Sequence, residues 1–317
     1  MVTLGAGDFT YQVSGEDWGN IPEDWTYKEA TAVAVDADDN VYVFNRGTHP
    51  MVIFNSDGDV LRTWGDGIFA NPHGVTIGPD GSVYCVDNGD HTVRQFTPDG
   101  KLLMTLGEPN QPSSPMSGEP FNLPTHLAID PRNGDLYVAD GYANARVHRF
   151  SPDGRHLSSW GESGTGEGQF NIVHNITTDK DGWVYIADRE NHRVQVFSPE
   201  GKYETQWLNL SRAACICLDT SAEPLVYVGE YFGGIASNKM GTQLGPRVSI
   251  MDTKGNVLAQ LSDESYGDEP GRFYSPHGIA VDSKGNIYVA EVSWSDYGSQ
   301  MDPPRELRSL QKLVKQG

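Results

Sequence analysis

One repeated unit restricts this chain to a narrow set of folds. It runs as an alternating apolar stretch, an Asp-rich turn, a "VYV"-type stretch, a polar loop, a third apolar stretch and a "DG" turn. Copies begin at Thr31 ("TAVAVDADDNVYVFNRG"), His73 ("HGVTIGPDGSVYCVDNGD"), Thr125 ("THLAIDPRNGDLYVADGYA") and His174 ("HNITTDKDGWVYIADRENH"). A looser copy starts at Ala214 ("ACICLDTSAEPLVYVGEYFGG"), and the last, from His277 ("HGIAVDSKGNIYVAEVSW"), supplies only two clear strands. Each copy reads as short antiparallel strands joined by hairpin turns. A single such sheet cannot bury both its faces, so six packed copies predict an all-β, six-bladed β-propeller.

The sixth copy needs outer strands from elsewhere. Residues 8–19 ("DFTYQVSGEDWG") precede the first copy and end in the Trp-Gly that closes other copies, so this N-terminal segment is expected to complete the last blade. On this reading residues 1–302 are the propeller. In residues 303–317, Leu307, Leu310, Leu313 and Val314 recur at helical spacing after Pro303-Pro304, which predicts a short amphipathic C-terminal helix packed on the propeller.

Charge excludes some functions. With 23 basic against 43 acidic residues the formal net charge is −20, unsuited to nucleic acid or an anionic membrane surface, both of which are bound through Lys and Arg. No run reaches membrane-spanning length, and "MVTLGAGDFTYQVSGEDWG" has no basic segment followed by an apolar one, so a cytoplasmic location is expected. Cys85, Cys215 and Cys217 have neither the number nor the spacing of a disulfide framework, a zinc knuckle or a redox motif, and read as buried thiols. The sequence does not specify an oligomeric state.

Aligning the first strands places Thr31, His73, Thr125, His174, Ala214 and His277 at one equivalent position. The histidines fall in copies two, four and six. First strands line the central channel of a propeller, so three imidazoles should converge there at one height, the ligand set of a zinc site with a coordination position left open. His126 lies one residue further on, facing the other side, and is not counted. A second set of equivalent positions follows each "VYV" run: Arg46, Asn88, Gly141, Arg189, Tyr231 and Val292. Two arginines and Tyr142, next to Gly141, should face the same end of the channel, and arginine's fork matches a carboxylate.

"DNGDHTVRQF" and "DRENHRVQVF" resemble the NHL repeat, named for its Asn-His-Leu signature, and assign His91 and His192 structural roles. The whole constellation resembles the catalytic domain of peptidyl-α-hydroxyglycine α-amidating lyase, a six-bladed zinc propeller that releases glyoxylate and leaves a terminal amide. "VFNRGTHP", "NPHGV", "VADGYANARV", "FNIVHNI", "IADRENHRVQVF" and "SPHGIA" carry the match in order. The resemblance implies that His73, His174 and His277 hold zinc or another divalent transition metal. It further implies that Tyr142, near Arg46, takes a hydroxyl proton, and that Arg189 binds the substrate carboxylate or the polarised oxygen, with the two arginines able to exchange roles. It departs at Gly278, where the family has an Asp for structural calcium, so calcium is not carried over, and at Ala143, where secreted members have a cysteine. The implied activity is carbon–nitrogen cleavage of an N-acyl-α-hydroxyglycine-type carbinolamide, on a peptide terminus or a small metabolite bearing a carboxylate. Two alternatives stand beside it: a zinc hydrolase or hydratase of lactonase type, and a non-catalytic NHL scaffold.

Overall fold

A computed structural model describes residues 2–14, 18–231, 234–235, 238–239, 245–262 and 266–317. Residues 15–17 of the N-terminal closing segment, and Phe232 and Gly233 of the fifth copy, lie outside the described residues. The six copies form six antiparallel sheets, and the chain is an all-β six-bladed propeller. It divides into two compact units, Gly65–Ile216 and the combination of Met1–Trp64 with Cys217–Gly317.

Blades two to four belong to the first of these units. Blade two consists of Pro72–Ile77, Val83–Asp87, Thr92–Phe96 and Leu102–Leu106. Blade three consists of His126–Ile129, Leu136–Asp140, Arg146–Phe150 and His156–Trp160, and blade four of Val173–Thr178, Val184–Asp188, Arg193–Phe197 and Tyr203–Trp207. Inner strands such as Val83–Asp87 and Val184–Asp188 are buried on both faces, while the outer strand Leu102–Leu106 is largely exposed and buried only at Leu106. Ala128, Tyr137, Val147, Phe170, Ile176 and Phe197 fuse blades three and four into one apolar cluster.

The bonds of the inner-turn Asp in blades four and six explain why it stands ahead of a "VYV"-type run. In blade four Asp179 accepts the backbone N–H groups of Asp181 and Trp183 at 2.9 Å and the hydroxyl of Tyr185 at 3.0 Å. One carboxylate thus closes the turn and satisfies the polar tip of a buried tyrosine. Asp282 does the same in blade six for Lys284, Asn286 and Tyr288.

The other unit holds blade one, Ala30–Val35, Val41–Asn45, Met51–Phe54 and Val60–Trp64, and blade six. Blade five pairs Ala213–Leu218, Leu225–Glu230, Arg247–Asp252 and Val257–Leu261. Blade six runs from Pro276–Val281 through Ile287–Glu291, Leu310–Lys315 and Tyr11–Val13 to Thr3–Leu4, so N-terminal strands close the last blade as expected.

The C-terminal segment corrects the expectation of a helix over residues 303–317. Leu310–Lys315 is a strand inserted between Ile287–Glu291 and Tyr11–Val13, pairing Leu313 with Ile287 on one side and with Val13 on the other. Two strand edges would otherwise stand unpaired, and a ladder on both sides outweighs local helical spacing. Leu313 is fully buried, and Gln311 reaches Glu291 and the Arg272 carbonyl. The short C-terminal helix of the fold lies earlier, at Ser293–Asp296, the one α-helix among the described residues. No described helix is long and apolar enough to cross a membrane.

Candidate metal centre

The histidines owe their direction to a repeated backbone irregularity. In blade two Pro72 pairs with Asp87 and Gly74 with Val86, so His73 is skipped by the ladder. His174 and His277 sit in the same kind of bulge, between Val173 and Asn175 and between Pro276 and Gly278. A bulge turns its extra residue away from the regular in–out alternation, and here it releases an imidazole from the sheet. All three are buried.

Each ring is then locked by a carbonyl of the following blade. Nδ1 of His73 lies 2.7 Å from the Thr125 carbonyl oxygen, Nδ1 of His174 2.6 Å from that of Ala214, and Nδ1 of His277 2.6 Å from that of Thr31. A carbonyl only accepts, so each Nδ1 carries the proton and each Nε2 presents a lone pair. The three ligand nitrogens all lie within 4.8 Å of one another. Buried imidazoles whose Nδ1 atoms are held by backbone carbonyls leave their Nε2 atoms as a donor set that fits a metal ion, and this triad could bind one.

Carboxylates at the ends of the second strands anchor the segments that lead into the bulges. Asp87 accepts from the backbone N–H groups of Ala70 and Asn71 at 2.7 and 2.8 Å, Asp188 from Asn171 at 2.8 Å, and Glu291 from Tyr274 and Ser275 at 2.7 and 3.0 Å. Burial pushes the Asp188 and Glu291 carboxyls above their ordinary values, and the hydrogen bonds they accept offset only part of that rise. The acid that ends "VYCVD", "VYIAD" and "IYVAE" was a readable signal for these anchors.

Tyr142 reaches the histidines because Gly141 lets the backbone pass close by. A Cβ at position 141 would stand 1.9 Å from the Val173 carbonyl oxygen. The Tyr142 hydroxyl is 3.1 Å from Nε2 of His73 and 3.0 Å from Nε2 of His174. Arg189 leads a one-turn 3₁₀ segment; its Nη1 is 3.4 Å from that hydroxyl and its guanidinium carbon 5.5 Å from the Tyr142 ring centre. Tyr142 thus has Arg189 as a described neighbour. Arg46 donates to Glu29 at 2.7 Å, and Glu29, nearly fully buried, also accepts from the backbone and hydroxyl of Ser295.

Sequence reasoning missed Glu190 and Arg212. Glu190 accepts from Nε of Arg189 at 2.9 Å and from Arg212 through Nη2 at 2.7 Å and Nε at 3.1 Å. Burial pushes the Glu190 carboxyl up, but the hydrogen bonds and charges of Arg212 and Arg189 more than offset this and hold it below its ordinary value. His91 and His192 occupy left-handed turn positions, and His91 Nδ1 accepts the Leu123 N–H, in keeping with structural roles. Tyr231 lies with its ring centre 6.3 Å from that of His277. Cys85 and Cys215 are buried free thiols and Cys217 is half-buried.

The NHL repeat pattern matches residues 69–96, 121–150, 170–197 and 273–295, the segments that carry the three bulged histidines and Tyr142. NHL repeat-containing protein 3 from Homo sapiens is 30% identical over 292 residues, spanning 87% of this chain and 80% of that protein. This chain belongs to the NHL-repeat family. The NHL propeller is also similar to peptidyl-glycine alpha-amidating monooxygenase A of Xenopus laevis, 28% identical over 319 residues, 90% of this chain and 33% of that protein. Peptidyl-alpha-hydroxyglycine alpha-amidating lyase 1 of Drosophila melanogaster is 34% identical over 255 residues, 74% of this chain and 45% of that protein. The NHL propeller therefore spans a third of the first enzyme's length and under half of the second's. A streptogramin B lyase structure shares the fold at a TM-score of 0.60 and 11% identity, covering 96% of this chain and 98% of that one.

Proposed function

We propose that this protein is a metal-dependent carbon–nitrogen lyase, cleaving an N-acyl-α-hydroxyglycine-type carbinolamide to an amide and glyoxylate. The substrate is a peptide terminus or a small metabolite. The observation that carries this reading is the convergence of three Nδ1-protonated histidines within 4.8 Å, with a tyrosine hydroxyl against two of their Nε2 atoms. The similarity to an enzyme named for amidating-lyase activity supports it.

His73, His174 and His277 would hold the metal. A bound divalent ion such as zinc supplies Lewis acidity to a substrate oxygen. Tyr142 stands where a hydroxyl on the substrate's central carbon would come, and takes its proton as the carbon–nitrogen bond breaks. The electrons of the former O–H bond become the second bond of the glyoxylate carbonyl, the carbon–nitrogen pair leaves with the nitrogen, and that nitrogen takes the proton Tyr142 had received, so the tyrosine ends as it began. Arg189 and Arg46 supply the positive charge that holds the substrate carboxylate and the reacting oxygen. The same acidic, membrane-averse composition suits a soluble cytoplasmic enzyme.

Metal analysis coupled to a glyoxylate assay tests the reading. We expect about one tightly held metal per chain, a stoichiometry set by the one such triad among the described residues. Release of glyoxylate from an N-acyl-α-hydroxyglycine should be lost in His174→Ala. Tyr142→Phe should keep the metal and lose kcat by about a hundredfold, as expected for removing a general base. Near-normal kcat in that variant would refute the base role. Turnover of esters or lactones alone would favour the hydrolase alternative, and metal-free protein without turnover would favour the scaffold.

A further inference from the structure

Blade three holds a second cluster of reactive side chains at its outer edge, on the strand farthest from His126–Ile129. His148 of Arg146–Phe150 pairs across the sheet with Ser159 of the outermost strand, His156–Trp160. His148 is fully buried, and its Nε2 lies 3.2 Å from Oδ2 of Asp140, the last residue of Leu136–Asp140. Its Nδ1 lies 2.7 Å from the Ser159 hydroxyl oxygen. Nε2 of His156 meets that same oxygen at 2.8 Å.

The protons along this chain of groups have one consistent arrangement. Asp140 accepts the backbone N–H of Asn122 at 3.0 Å and the side-chain N–H of Asn144 at 2.8 Å, and it faces His148 as an acceptor too. An imidazole lone pair aimed at a carboxylate would repel it, so His148 carries its proton on Nε2 and presents a lone pair at Nδ1. Ser159 then donates its hydroxyl to His148, and the Nε2–H of His156 donates to Ser159. Burial and the neighbouring His148 push the His156 imidazole below its ordinary value, so it is a neutral donor at neutral pH. Asp140, His148 and Ser159 are thus ordered as acid, base and hydroxyl, the order that activates a serine nucleophile. The imidazole is turned end for end relative to the serine-protease arrangement, which leaves the three roles unchanged.

The fold itself does not call for this chemistry. In blade four the place of His148 is taken by Gln195, whose Nε2 donates to Asp188 at 3.1 Å and whose cross-strand partner is Gln206. In blade five Ser249 bonds Glu230 and pairs with Gln260. A neutral amide or hydroxyl bridges the acid to the outer strand in those blades, whereas blade three puts a base behind a serine. Ser159 is half-buried on a strand whose first three residues are exposed, so a small molecule can reach its oxygen. We propose that Ser159, His148 and Asp140 form a second reactive centre, apart from the metal centre, that takes small carboxylic esters. Ser159 Oγ bonds to the ester carbonyl carbon as the hydroxyl proton passes to His148 Nδ1. His156 Nε2–H turns to the oxygen that gains charge. The bond to the leaving alkoxide breaks with its electron pair, the alkoxide takes the proton from His148, and an acyl-serine remains for water to hydrolyse with His148 again as base.

Acid-quenched reaction of the full chain with p-nitrophenyl acetate, followed by peptide mapping in a mass spectrometer, tests this. We expect an acetyl group on Ser159 that forms in step with a burst of nitrophenolate, and loss of that burst in Ser159→Ala. His148→Gln can keep the bond to the acid that Gln195 makes in blade four but has no base, so it should fold as wild type does and slow acetylation by about a hundredfold. If either variant folds poorly, wild-type protein decides alone, with the exposed neighbour Ser158 as internal control: Ser159 should be acetylated about a hundredfold faster. An unmodified Ser159, acetylation no faster than at Ser158, or an equal rate in a folded His148→Gln protein overturns the proposal. Ester turnover at the metal centre would leave no acetyl group on Ser159, and a failed glyoxylate assay would not touch the adduct, so this proposal and the lyase reading are tested separately.

Discussion

Gly278→Asp installs the carboxylate that the amidating-lyase resemblance places after the third histidine, and the structure argues that this chain will not accept it. Gly278 is buried in the inner strand of blade six, facing the inner strand of blade one. A Cβ there would lie 2.6 Å from the Ala32 Cα, 3.0 Å from the Val33 nitrogen and 3.1 Å from the Ala32 carbonyl carbon. Carbon atoms pack at roughly 3.5–4 Å, so the two strands must part by close to 1 Å, and the atoms in the way are backbone. Overpacking of this kind costs about 1–3 kcal/mol, and a buried carboxylate without a partner adds at least as much again. We expect urea unfolding to report a loss of about 2–6 kcal/mol for Gly278→Asp, and about 1–3 kcal/mol for Gly278→Ala, which tests the steric part alone. Millimolar calcium should restore neither. Ion binding at a hundred times Kd would return about 2.7 kcal/mol, well within the range of such an experiment. A Gly278→Asp protein as stable as wild type, or one stabilised by calcium to that extent, would refute the packing argument. The neighbouring bond from His277 Nδ1 to the Thr31 carbonyl spans the same strand pair, so the orientation of that imidazole should be disturbed along with stability.

Two further outcomes follow from features outside the site. Leu313→Ala should cost about 2–4 kcal/mol and Val314→Ala under about 1 kcal/mol in urea unfolding, because a strand puts these neighbours on opposite faces and only Leu313 is fully buried; equal costs would restore the helical reading of this segment. Burial pushes the His126 imidazole down to about 4 from 6.5, so the unfolded chain binds the extra proton first as the pH falls. Stability should drop between pH 6.5 and 4 by roughly 3 kcal/mol from this group, and a His126→Gln protein whose stability falls just as steeply over that window would count against it.

What could be read from the sequence was whatever repeats within a blade. The "D…VYV" pattern encodes a hairpin in which, as in blades four and six, one carboxylate serves both the turn and a tyrosine, so such a copy announces itself without its neighbours. The histidines could be aligned because the bulge falls at one place in every copy concerned. Long-range pairing was not readable: Leu310–Lys315 fits a helical stripe locally, and only the two strands that flank it make it a strand. Glu190 stayed hidden inside "DRENH", where it looks like part of a turn. Arg212 stayed hidden because its partner lies 22 positions away, in another blade.

The positions between the histidines, passed over because their side chains are Thr, Thr and Ala, explain why alternate blades are used. Each histidine needs an acceptor for Nδ1–H, and the structure supplies it from the backbone of Thr125, Ala214 and Thr31 in the next blade. A backbone acceptor leaves its residue type unconstrained, which is why no motif marks these sites. It does require that residue's own side chain to stay out of the centre: the Thr125 hydroxyl turns back to the Val173 carbonyl at 2.8 Å, and the Thr31 hydroxyl to the Phe44 carbonyl at 3.1 Å. The six equivalent positions thus divide into three that present a lone pair and three that fix its direction. A fourth histidine at Thr125 would point a second imidazole at the centre from the very residue that orients His73. The intervening positions thus serve the centre through their backbone carbonyls, which fix the tautomer of each imidazole.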